Sequence, residues 1–105
     1  MLEYLKKEVK LRDTKYAKLL AEGIYHDSRI ERIFVKDEGH DEIRFSWWPA
    51  GKMANRPLDL PEDMLLELLK SAISNSVFTD KFLRELHSAL YDAAISKNIE
   101  TNQKK

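Results

Sequence analysis

Cysteine is absent from the chain, which removes disulfides, thiol nucleophiles and thiolate metal sites from its chemistry. Glycine and proline are scarce, at 3 each, so no flexible linker divides the 105 residues and a single domain is expected. Net charge is missing too: 18 Lys and Arg balance 18 Asp and Glu. Without an excess of cations, counterion release gives little nonspecific attraction to nucleic acid or to an anionic membrane. No apolar run approaches the ~18–20 residues needed to cross a bilayer. The opening MLEYLKKEVKLRD mixes charge with apolar residues where a signal peptide has an apolar block. The expectation is a cytoplasmic protein with no membrane partner. Hydrophobic residues make up 43% of the chain, enough for a core, since a chain of this size buries roughly 60–70% of its unfolded surface.

The apolar pattern places the elements. Leu2, Leu5, Val9, Tyr16, Leu19, Leu20 and Ile24 recur at three- and four-residue steps, so residues 2–24 read as an amphipathic helix, in one piece or broken at Arg12–Thr14. HDSR (26–29) is a turn, and RIERIFVK (29–36) has the β-branched and aromatic content of a strand. EIRFSWW (42–48) alternates as a second strand, after a hairpin loop at Glu38-Gly39-His40. Pro49-Ala50-Gly51 fits a tight hairpin loop leading to a short third strand at about 52–58, placed at an edge because Pro57 cannot donate to a ladder. Pro61, Glu62 and Asp63 then open a helix whose stripe is Leu65, Leu68, Leu69, Ala72 and Ile73. Thr79 caps a last helix, with Phe78 stapled onto Leu83 and with Phe82, Leu83, Leu86, Leu90 and Ala94 facing inward. The sum is an α+β fold in the order α-β-β-β-α-α. It comprises a single small domain over 1–96, with a three-stranded antiparallel meander packed with helices, and a flexible polar tail over 97–105.

Both tryptophans stand side by side in FSWWPAGK, and neighbouring strand residues point to opposite faces of a sheet. With the loop at 38–40, Val35 and Ile33 lie opposite Ile43 and Phe45, and Trp47 extends this face under Met53 as the core tryptophan. The reverse face then carries Ile30, Arg32, Phe34, Arg44, Ser46, Trp48, Lys52 and Arg56, without an acid. It has two readings. Either the N-terminal helix covers it as a second small core, or it binds a partner, since tryptophan and arginine are enriched at interface hot spots.

No motif carries a reaction. GKM at 51–53 fails as a phosphate loop, because Ser46 stands where its first glycine belongs and Met53 replaces Ser or Thr. DEGHDE (37–42) does not reproduce the ligand spacing of a calcium loop, and HDS (26–28) cannot converge as a triad from adjacent turn residues. A double-stranded RNA-binding domain shares the order α-β-β-β-α. Here, though, Asp59, Glu62 and Asp63 precede or open the second helix, where lysines would meet phosphate. After LLAEGIYH no second helix follows to complete a helix-turn-helix.

The functional expectation is a non-enzymatic interaction or regulatory protein without cofactor or metal. It acts through the face of Arg32, Phe34, Arg44, Trp48, Lys52 and Arg56, on a protein partner or on a second copy as a homodimer. The alternative is nucleic-acid binding by the same basic and aromatic side chains.

Overall fold

The structure, a computed structural model, describes residues 13–97. Three strands form one antiparallel sheet in sequential order: β1 (Ala17–Tyr25), β2 (Ser28–Val35) and β3 (His40–Trp47). A 3-10 turn at Pro49–Gly51 and an irregular stretch lead to two helices, α1 (Glu62–Ser74) and α2 (Asp80–Ser96). The fold is α+β, with a meander and helices C-terminal to it.

The strands of the meander are not all those expected. Over residues 17–24 the helix read from the sequence is replaced by β1, and residues 2–12 of that helix lie outside the described residues, as does the expected tail from residue 98 onward. Leu19 and Ala17 alternate inward from β1, and a bulge at Leu20 resets the register. The expected strand at 52–58 does not form. Only Ala54 bonds back, its N–H donating to Trp47 O at 2.7 Å. Proline and asparagine in Asn55-Arg56-Pro57 give the ladder little to work with. Gly51 does take a positive φ of 81°, but Ala50 joins it at 55°, and the pair turns the chain out of the sheet rather than back along it.

The β2–β3 hairpin also differs in register. Its turn is Lys36–Gly39, so Val35 pairs with His40 instead of Ile43. That displacement is an odd number of residues, and an odd slip exchanges the two faces of a strand. Ile30, Arg32 and Phe34 therefore share a face with Ile43, Phe45 and Trp47, while Glu31, Ile33 and Val35 share the other with Arg44 and Ser46.

Helix α1 covers the first of these faces over β1 and β2. Leu68 and Ala72 are buried against Ile30 and Val77, with Tyr25, Leu58, Leu60 and Leu69 packed around them. Full burial of a side chain such as Ile30 or Leu68 contributes about 1.5–3 kcal/mol. Leu65 and Ile73, expected on the same stripe, stay exposed. Ala17, Leu19, Ile33 and Val35 form a second buried cluster on the opposite face. Helix α1 also closes the outer edge of β1: Ser71 Oγ accepts from Ile24 N at 2.9 Å, and Asn75 Nδ2 donates to Glu22 O at 3.0 Å.

Helix α2 behaves differently. Thr79 caps it as expected, accepting from Phe82 N at 3.2 Å, and the Phe78 ring lies tilted against that of Phe82, 5.0 Å between centroids. None of its 17 residues is buried. Among the described residues it packs on neither the sheet nor α1. Of the two C-terminal helices, α1 alone packs on the sheet.

The start of β1 is pinned by Lys36, whose Nζ donates to Asp13 Oδ1 at 2.8 Å and to Thr14 O at 2.6 Å. The Lys36 hydrogen bond holds the Asp13 carboxyl below its usual value. A carboxylate with a depressed folded pKa adds stability above its unfolded value, about 3.9, that disappears as pH falls through the folded one. Asp13→Asn is therefore expected to lower stability slightly at neutral pH and to match wild type in strong acid, where Asp13 is protonated in both states. Urea melts at about pH 7 and about pH 2 check this.

Candidate functional site

The hairpin register divides the six residues expected on one binding face. Arg32 and Phe34 lie on the α1 side of the sheet, Arg44 lies on the other, and Lys52 and Arg56 belong to the irregular stretch after the 3-10 turn. Each of the paired tryptophans takes an arginine of its own. The Arg56 guanidinium sits 4.2 Å over the Trp47 ring, and that of Arg29 sits 4.5 Å over Trp48. Neither indole is fully buried, so Trp47 is a partly covered wall and not a core residue. It helps line a cleft of about 300 Å³ with Ser28, Arg56, Leu58, Asp59 and Leu60.

On the face away from α1 the expected absence of acids is reversed. Glu31 is fully buried there. Arg44 Nε and Nη2 donate to its two oxygens at 3.0 and 3.2 Å, and Ser46 Oγ donates to Oε1 at 2.6 Å. Trp48 Nε1 donates in turn to Ser46 Oγ at 2.8 Å. The result is a chain of bonds from indole to hydroxyl to carboxylate to guanidinium. Burial lowers the Arg44 guanidinium below its ordinary pKa. Arg29 Nη1 reaches Glu22 Oε1 at 3.1 Å, while its Nε is buried without a hydrogen-bond partner among the described residues. Arg44 and Trp48 also border a cavity of about 410 Å³ with Tyr16, Leu19, Ile33 and Met53.

On the α1 side, Arg32 Nη1 donates to Asp41 Oδ2 at 2.9 Å and its Nε to Val77 O at 2.6 Å. Arg32 therefore ties the sheet to the connection between the helices. Glu31, Arg29 and Glu22 are the residues sequence reasoning missed. Only the correct register would have placed Glu31 across from Arg44.

The exposed apolar residues gather elsewhere. Phe82 is 47% exposed and Leu90 61%, on a stripe of α2 that also holds Leu83, Leu86 and Ala94. At the sheet edge, Phe45 is 53% exposed. Among the described residues no three His, Asp or Glu side chains gather as a metal ion would need, and no helix is long and apolar enough to cross a membrane. No protein-family model, curated protein or solved structure matches the chain.

Proposed function

We propose that this protein is a non-enzymatic interaction module that presents α2 to a protein partner. The observation that carries the reading is a capped helix of 17 residues with an apolar stripe and no buried residue. A helix with one apolar face gains most of its stability from burying that face, and an amphipathic helix laid into a partner's groove is a recurrent recognition mode. The nucleic-acid reading has less support. Arg32 and Arg44 spend their charge on Asp41 and Glu31 within the chain, leaving Lys52 and Arg56 as the expected cations without such an ion pair among the described residues.

The test uses the full chain carrying Leu86→Glu together with Leu90→Glu. Neither residue is buried, so the urea melt is expected to match wild type. Partner proteins retained by the wild-type chain on affinity capture from its source cells are expected to be lost. A double variant that melts normally and retains the same partners overturns the reading.

A further inference from the structure

The two edges of the sheet are treated unequally. Strand β1 is bulged and bonded to Ser71 and Asn75 of α1, and natural sheets guard their edges in just such ways. Strand β3 is the other edge. Trp48 N donates to Asp27 O at 2.7 Å, which fixes the phase of its ladder. In an antiparallel pair, bonded and non-bonded residues alternate. His40, Glu42, Arg44 and Ser46 therefore turn their backbone groups to β2, and Asp41, Ile43 and Phe45 turn theirs outward. Trp47 O, also outward, is met by Ala54 N. No described residue bonds the outward N–H and C=O groups of Asp41, Ile43 and Phe45. Ile43 and Phe45, 36% and 53% exposed, stand at that edge on one face.

We propose that the outer edge of β3 pairs antiparallel with the same edge of a second copy, about a two-fold axis through Ile43. This goes beyond the reading of α2 and concerns a different surface. The charges select both the occupant and the register. Outward residues must meet outward residues, so an axis near the middle of the strand passes through Glu42, Ile43 or Arg44. Through Glu42 it opposes two glutamates, and through Arg44 two arginines, and like charges directly opposite destabilise a pair of strands. Through Ile43 it sets Glu42 of each copy opposite Arg44 of the other, twice over. These are non-bonded pairs, where side chains approach most closely. Ile43 then meets its own counterpart, and Phe45 of each copy falls diagonal to it. Arg44 has the spare capacity, since its Nε and Nη2 serve Glu31 while Nη1 has no bond among the described residues.

Sedimentation of the full chain over a dilution series, with amide hydrogen exchange at each concentration, tests the pairing. The expected result is a monomer–dimer equilibrium in which the amides of Asp41, Ile43 and Phe45 gain protection as concentration rises. Those of Glu42 and Arg44, already bonded to β2, do not change. Glu42→Arg opposes arginine to arginine at both flanks and is expected to weaken association about tenfold or more. Ile43→Lys does the same without touching the flanking pairs, and both variants keep the wild-type melt extrapolated to dilute monomer. Leu86→Glu with Leu90→Glu leaves the dimer intact, which separates this interface from α2. A chain that stays monomeric into the millimolar range overturns the proposal. So does a dimer whose Asp41, Ile43 and Phe45 amides exchange at one rate throughout, or one indifferent to Glu42→Arg.

Discussion

Gly23→Ala is expected to cost about 3 kcal/mol or more, the upper part of the range for forcing an extra carbon into a packed site. A Cβ built on Gly23 would collide with Ala72 N and Cα and lie 2.8 Å from Ala72 Cβ. Two of those three atoms are helix backbone, which cannot rotate away. Either α1 lifts from β1 as a unit or the strand bends, and both lose the burial of Leu68 and Ala72 against Ile30. The bonds from Ile24 to Ser71 and from Asn75 to Glu22 would stretch at the same time. The clash also predicts what rescue fails. Ala72→Gly removes only the third contact, so Gly23→Ala with Ala72→Gly remains far below wild type. Urea melts of the three variants measure this, and a Gly23→Ala variant within about 1 kcal/mol of wild type would place α1 farther from β1 than the structure does.

The second large effect is expected at Glu31. Glu31→Ala removes the carboxylate that holds Arg44 and Ser46. It leaves a partly buried guanidinium without that anion and Trp48 bonded to a hydroxyl that has lost its own acceptor. Breaking one partner of a buried ion pair costs roughly 3–5 kcal/mol, because the surviving charge keeps its desolvation penalty. Ser46→Ala, which removes a neutral link in the same chain of bonds, is expected to cost only about 1–3 kcal/mol. A double-mutant cycle of Glu31→Ala and Arg44→Ala should return a coupling well above the few tenths of a kcal/mol seen for independent sites. Additive losses would mean that Arg44 meets solvent instead of Glu31.

The parts of this fold that sequence reveals are those whose local preference and global role agree. RIERIFVK and EIRFSWW are rich in β-branched and aromatic residues and lie in β2 and β3. Helix α1 starts after Pro61 with two acids, and α2 starts at a threonine cap. Strand β1 is the conflict. AKLLAEGIY is built largely from helix formers, and its apolar residues continue a three- and four-residue spacing from the N-terminus. The strand brings Gly23 against Ala72, a contact remote in sequence. A glycine inside a strand often marks such a close approach, and that was the available signal.

The residues expected on one face are divided for a smaller reason. Their assignment depended on one loop length, and the step from a loop at 38–40 to the turn Lys36–Gly39 moved Arg44 and Trp48 away from Arg32 and Phe34. Turn geometry is decided by a few backbone angles, among them the φ of 73° at Gly39, and DEGHD accommodates either loop. The exposure of α2 was hidden in another way. A stripe of Phe82, Leu86 and Leu90 reads the same whether a chain covers it with its own sheet or leaves it outside.

The unequal edges set a limit on growth. A subunit with two free strand edges has two valences and can add copies without end, as fibres do. Here Ser71 and Asn75 occupy backbone groups on one edge, so under the proposed pairing of β3 the sheet would have one valence, and one valence about a two-fold axis closes at a pair. Helix α1 would then serve as a chain terminator as well as a core helix. Under the pairing proposed for β3, substitutions that loosen α1, Gly23→Ala first among them, would free the second edge and let copies add without end.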